Sequence, residues 1–319
     1  MATFDPFILG IIAVLVLGIV LRFPQHLVDT FSALADGAVV ILFFFYGSKL
    51  RTKEVISGFT NWKLQLAILF STFIAFPILG LIGDNFWPII LGPTFAMGAL
   101  YLTLLPSTVQ SSIAFVSTAK GNVPAAVCAA TASNVFGMFL TPFLVMVLMG
   151  KASGVSMNSI KQIFFQLLLP FIVGQLLQPL IGNWVRKHRP LTRIVDVGTI
   201  LLVVWAAVTG ATAQGLWASV TWGSFFGLLC WSGLLLAITL AMTWFGGKAI
   251  GLSYEDRIAL LMCGSKKSLA TGMPMAQVIF PPLIAAGVAV PLILFHQIQL
   301  FVCAIIARQL GKRNHTSRE

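Results

Sequence analysis

Cys263-Gly264-Ser265-Lys266-Lys267-Ser268-Leu269-Ala270-Thr271-Gly272-Met273-Pro274 sets two adjacent lysines inside an otherwise apolar run. A second interruption, Leu105-Pro106-Ser107-Thr108-Val109-Gln110-Ser111-Ser112-Ile113-Ala114, lies earlier in the chain. Aligned on their polar cores, Gln110-Ser111-Ser112-Ile113-Ala114 faces Lys266-Lys267-Ser268-Leu269-Ala270. Such a short match by itself is compatible with two tolerated polar kinks, because Gly and Pro are frequent in membrane helices. Position argues otherwise. Pro or Gly there frees backbone groups that hydrocarbon would leave unpaired, and such backbone survives only where it contacts protein or lines a cavity.

The sequence around these interruptions is that of a membrane protein. Of 319 residues 58% are apolar and 9% charged, and the mean hydropathy is +0.96. A soluble domain carries about a quarter charged residues, so an ordinary soluble enzyme is excluded. Segments 64–83, 85–119, 121–150, 162–185, 197–247 and 268–307 contain no Asp, Glu, Lys or Arg, and about 20 apolar residues span a bilayer as a helix. Divided at Gly, Pro and polar clusters, the chain predicts ten spans. Five lie near 6–22, 36–50, 62–83, 94–118 and 122–149, and five near 161–182, 192–214, 222–248, 257–279 and 283–308. The polar stretch 151–159 links residues 1–150 to residues 160–310, and 311–319 form a tail. The run from Pro6 to Leu21 has no basic flank before it and is read as a retained helix rather than a signal.

Charge tests the span count. If both termini share a side, that side receives Lys49, Arg51, Lys53, Lys63, Lys120, Arg186, Lys187, Arg189, Arg193, Lys248, Arg257, Arg308, Lys312, Arg313 and Arg318. The other side receives only Arg22, Lys151 and Lys161. Fifteen against three predicts ten helices with both ends cytoplasmic, and it explains the net charge of +11 without a nucleic-acid partner. Five spans per half invert the second half against the first, and both interruptions fall in the fourth span of their half. Paired interruptions of this kind point to a transporter's binding site.

Phe44-Phe45-Tyr46-Gly47-Ser48-Lys49-Leu50, Leu105 to Phe115, Cys263 to Ala270 and Phe295-His296-Gln297-Ile298-Gln299-Leu300, with the stretch from Pro106 through Lys120-Gly121-Asn122, resemble the bile acid:sodium symporter family, in its branch of YfeH-type bacterial symporters. The resemblance covers nearly the whole chain. It implies an all-α polytopic fold of two inverted five-helix repeats whose broken helices 4 and 9 cross at the substrate. A core domain (helices 3–5 and 8–10) would move against a panel domain (helices 1, 2, 6 and 7). The sodium-coupled members carry Ser and Asn at the first break, hydroxyls on helix 5, and Glu then Gln at the second break. Ser111 and Ser112 fall near the first pair, Thr131 and Ser133 near the hydroxyls, while Ser265, Lys266 and Lys267 stand where the Glu and Gln would be. Sodium coupling is therefore not expected.

A lysine at the centre of a membrane helix costs about 2.5–3.5 kcal/mol on insertion scales. Lys266 and Lys267 lie about 14 Å past Arg257 along a helix, too deep for easy snorkelling to the headgroups. They are expected to hold an anionic substrate, replace a bound sodium ion, or cycle a proton. All nine carboxylates fall at predicted helix ends or in loops, with Asp36 and Asp196 borderline, so the site is expected to be electropositive. Gln110, Ser111, Ser112, Asn134, Lys266, Lys267 and Ser268 are the candidate substrate ligands. Ser111, Ser112, Thr131, Ser133, Lys266, Lys267, His296 and Gln299 are the candidates for coupling to sodium or protons. His296, Gln297 and Gln299 are read first as groups that tie helices together.

No cofactor, metal or obligate protein partner is expected; the partners are a small organic anion and the lipid bilayer of the bacterial cytoplasmic (inner) membrane. The four cysteines, Cys128, Cys230, Cys263 and Cys303, stand singly in apolar runs and read as packing residues. No GxSxG, HExxH or phosphate-cradling loop is present. Two alternatives are an arsenite-carrier-like exporter using Cys128 or Cys263, and a membrane-embedded hydrolase drawing its hydroxyl and amine from Ser265-Lys266-Lys267-Ser268.

Overall fold

The computed structural model describes residues 6–50, 61–82, 86–150 and 161–316, and among them the regular structure is entirely helical. In chain order the helices are α1 (Pro6–Val20), α2 (Gln25–Lys49), α3 (Trp62–Ile82), α4 (Trp87–Leu91), α5 (Pro93–Thr103), α6 (Gln110–Thr118) and α7 (Val123–Met149). There follow α8 (Lys161–Lys187), α9 (Arg189–Ala213), α10 (Trp222–Ala249), α11 (Tyr254–Gly264), α12 (Leu269–Ile279) and α13 (Pro282–Thr316). Seven of them, α2, α3, α7, α8, α9, α10 and α13, are long and apolar enough to cross a membrane. Large apolar side chains face outward, among them Ile89 (81% exposed), Leu176 (73%) and Phe301 (71%). Such a surface needs lipid as its solvent, and the protein is a multi-pass membrane protein.

Several boundaries differ from the sequence reading. The second helix begins at Gln25 instead of residue 36, because Asp29 and Asp36 are carried inside it. Asp29 accepts a hydrogen bond from Gln25 one turn earlier (2.9 Å), and Asp36 accepts one from Gln277 (3.4 Å). The expectation that every carboxylate lies at a helix end or in a loop is thereby corrected for Asp36, and also for Asp196. Asp196 sits within α9 and is held by Lys49 Nζ at 3.0 Å, the ion pair found among the described residues. The last helix runs on to Thr316, through much of the expected tail. The linker 151–159 and the basic residues Arg51, Lys53, Lys151 and Arg318 lie outside the described residues.

Two compact units emerge. Residues 1–50, 145–222 and 272–290 form one, and residues 51–144, 223–271 and 291–319 the other. In the first unit α2 packs along α8 and α9, and α1 against α9. The α2–α8 crossing is so close that a Cβ on Gly47 would strike the Phe171 carbonyl oxygen, and one on Gly174 would strike that of Phe44. Small residues give membrane helices this approach and the dispersion contacts that hold them together. In the second unit Ile68, Val116, Ala126, Ile258, Met262 and Cys303 belong to one buried cluster that joins α3, α6, α7, α11 and α13. Its α11 end is tied down by Asp256, which accepts from Asn61 (2.8 Å) and Asn122 (2.7 Å) while its own N–H caps onto Ser253.

Gly174→Leu should lower the melting temperature of the detergent-solubilised protein by about 5 °C or more, the scale of an overpacked contact. Gly37→Ala, which would meet nothing within 4 Å, should stay near the parent value. Both are read by thermal unfolding monitored through size-exclusion fluorescence.

Candidate functional site

Both sequence interruptions are breaks in the structure, and both lie in the second unit. Helix α5 stops at Thr103 and α6 starts at Gln110; α11 stops at Gly264 and α12 starts at Leu269. Pro106 explains the first stop, since it has no N–H to offer the helix and restrains the residue before it. Nearly every backbone group freed there finds a protein partner. The Leu104 carbonyl accepts from Thr141 Oγ1 (2.8 Å) and that of Pro106 from the Ser268 N–H (2.9 Å). The Ser107 N–H donates to Ser133 Oγ (3.0 Å), and the Ser107 carbonyl accepts from Asn134 Nδ2 (2.8 Å).

The second break is treated likewise. Ser112 Oγ donates to the Met262 carbonyl (2.9 Å), Ser107 Oγ to that of Cys263, and Ser71 Oγ to that of Gly264 (2.7 Å). Ser265 Oγ turns back to the Leu261 carbonyl. Gln299 clamps Lys267 through both backbone groups, accepting from its N–H (2.9 Å) and donating to its carbonyl (2.8 Å). The same amide nitrogen lies 2.9 Å from His296 Nδ1. Hydroxyls continue the network: Thr108 Oγ1 pairs with Ser111 (2.9 Å) and Ser112 (2.8 Å), and Asn134 Oδ1 accepts from Thr271, which accepts from Ser268 (3.0 Å).

Of the sequence candidates, Ser111, Ser112, Ser133, Asn134, Lys266, Lys267, Ser268, His296 and Gln299 thus gather around the two breaks. Gln110 is exposed and Thr131 half-buried, and both stand outside the network described. Thr72, Thr103, Thr108, Phe115 and Thr271 were not among the candidates. Pro77 is the sequence signal that could have pointed to Thr72, because a proline brings no N–H to the preceding turn; Pro106 marks the break after Thr103 but not the Thr103 carbonyl itself, whose donor is diverted to Ser133.

The two lysines, adjacent in sequence and both fully buried, have different surroundings. Lys267 Nζ donates to three carbonyl oxygens, those of Thr72 (2.7 Å), Thr103 (2.9 Å) and Leu105 (2.6 Å). Lys266 Nζ has no hydrogen-bond partner among the described residues. It lies 4.4 Å from the centre of the Phe115 ring. A buried amine without an acceptor is costly in its charged form, so Lys266 is the cationic group here with bonding capacity to spare.

The profile of the SBF-like CPA transporter family matches residues 5–312. An uncharacterised protein of Pseudomonas aeruginosa is 44% identical over 97% of this chain and 93% of its own length. The Escherichia coli K12 protein named "Putative symporter YfeH" is 42% identical over the same shares of the two chains. "Sodium/bile acid cotransporter 7" of Xenopus tropicalis is 24% identical over 84% of this chain and 80% of its own. Two of these three relatives are carriers by name, not enzymes, and the family match runs through both broken helices. The chain belongs to the SBF-like CPA transporter family.

Proposed function

We propose that the protein is a secondary carrier that moves a small organic anion across the bacterial cytoplasmic membrane by alternating access, with Lys266 supplying the positive charge that the substrate neutralises. The observation that carries this reading is the Lys266 amine, buried at a helix break with no acceptor. An ammonium in a low-dielectric site attracts a carboxylate or sulfonate far more strongly than in water, and an anion would supply the bonds that the protein leaves unmade. No described carboxylate is bonded to either lysine, so the anion would meet no acidic competitor. Ser111, Ser112, Ser268 and Asn134 stand beside the same breaks, bonded within the protein, and would meet a polar substrate only by exchanging those bonds.

Ten spans in two inverted halves, with both termini cytoplasmic, complete the reading. Helices stand at all ten expected segments, and the fourth and ninth are each split in two. The division of the chain into two compact units supports a carrier of two moving bodies. The panel expected from the family resemblance, α1, α2, α8 and α9, lies within the first unit, which also takes in residues 272–290 from the expected core. Relatives named for bile acid transport make amphipathic organic anions the first substrates to try.

Lys266→Met should weaken binding of organic anions by about 10- to 100-fold, the worth of a charged hydrogen bond, while Lys266→Arg keeps part of it. The measurement is ligand-induced thermal stabilisation across a panel of bile acids, aryl carboxylates and aryl sulfonates. A Met variant that binds like the parent overturns the assignment.

Transport in proteoliposomes is expected to proceed equally with sodium or choline outside. The Glu and Gln of the sodium-coupled members have no counterpart in this chain, and a saturable requirement for sodium would refute the expectation.

Reporter fusions at Gly311 and Asn158 should fall on opposite faces of the membrane, with Gly311 cytoplasmic. Both on one face would break the ten-span inverted arrangement.

A further inference from the structure

The surroundings of Lys267 are those of an ion rather than of a side chain. Its nitrogen has three carbonyl oxygens at 2.6–2.9 Å and no carboxylate or hydroxyl among its hydrogen-bond partners. Each of those carbonyls is one that its own helix cannot use. In the π-turn Ser71–Ala75 the Phe76 N–H is directed to the Ser71 carbonyl, and the next residue, Pro77, has no N–H for that of Thr72. The donor that would continue α5 onto the Thr103 carbonyl is the Ser107 N–H, and it is taken by Ser133. The Leu105 carbonyl lies past the end of α5, beside Pro106. Two of the three oxygens thus sit at the C-terminal pole of α5, where the helix dipole is negative.

We infer that these three carbonyls form a binding site for a monovalent cation, which the chain fills permanently with its own tethered ammonium. Only the charged form fits. An ammonium brings one hydrogen for each oxygen, whereas a neutral amine would turn its lone pair toward one of them. The Phe76 ring, 4.2 Å from Nζ, presents its π-face to the same charge. Gln299 fixes the Lys267 backbone from α13, so the nitrogen is held from both ends. Cages of backbone carbonyls bind free alkali cations by replacing their hydration shell. Here the covalent tether supplies that charge at no cost in translational entropy. With all its hydrogens committed, Lys267 is a fixed structural cation, and Lys266 alone is left for the substrate.

The test empties the cage and asks whether a free cation refills it. Lys267→Ala, purified in choline, should melt more than about 5 °C below the parent, since three carbonyls lose their partner. Ammonium or methylammonium should restore about half or more of that loss, saturably, with no comparable effect on the parent or on Lys266→Ala. If the variant cannot be purified in choline, it is extracted with methylammonium present throughout. Monodisperse protein obtained only with the small cation supports the proposal. The proposal is overturned if the variant melts within about 2 °C of the parent, if ammonium, methylammonium, sodium and potassium all leave its melting temperature unchanged, or if none of the four allows its recovery. Because the readout is cation-dependent stability and not anion binding, either result leaves the role of Lys266 to its own experiment.

Discussion

A carbonyl freed inside hydrocarbon has no water to turn to, and most of the polar residues of the second unit answer that constraint. Pro77 and Pro106 remove donors, two helices stop short, and the released oxygens must be met by protein at a cost of several kcal/mol for each one left bare. Ser71, Ser107, Ser112, Ser133, Asn134, Thr141 and Gln299 each bond a backbone group at or near a break. The direct bond from the Ser268 N–H to the Pro106 carbonyl joins one break to the other. Irregular backbone at these positions is therefore rigidly specified and not merely tolerated.

The same constraint separates the lysines. Placing either ammonium at membrane depth costs about 2.5–3.5 kcal/mol on insertion scales. For Lys267 three short bonds to carbonyls and the negative end of α5 offset it. For Lys266 a face of Phe115 is a weaker return, and the shortfall is the free energy that an anionic ligand can recover. A carrier needs a group of this kind, since a residue already satisfied by its own protein has little to gain from cargo.

The first unit is held by different means. Its contacts are close helix crossings at Gly47 and Gly174, with one partly exposed ion pair between Lys49 and Asp196. Aromatic rings, Phe23 and Phe31 against Trp205, pack edge to face in the same unit. None of α1, α2, α8 and α9 is interrupted as the helices at the two breaks are, although Pro170 and Pro179 each withhold a donor within α8; dispersion and shape carry most of the contacts there, and few buried hydroxyls need partners outside their own helix.

Apolar runs and prolines are local properties, and they were enough to place helices at the expected segments and to find both breaks from the amino-acid sequence alone. The family, too, was legible in the motifs around Pro106 and Lys266. The start of α2 was not, because Asp29 and Asp36 look like loop residues until Gln25 and Gln277 are seen beside them. Nor was the separation of Lys266 from Lys267, which are neighbours with identical side chains. Only the tertiary structure brings Thr72, Thr103 and Leu105 around one nitrogen and leaves the other facing Phe115, because those partners lie more than 150 positions away in the chain and the sequence carries no local trace of the meeting.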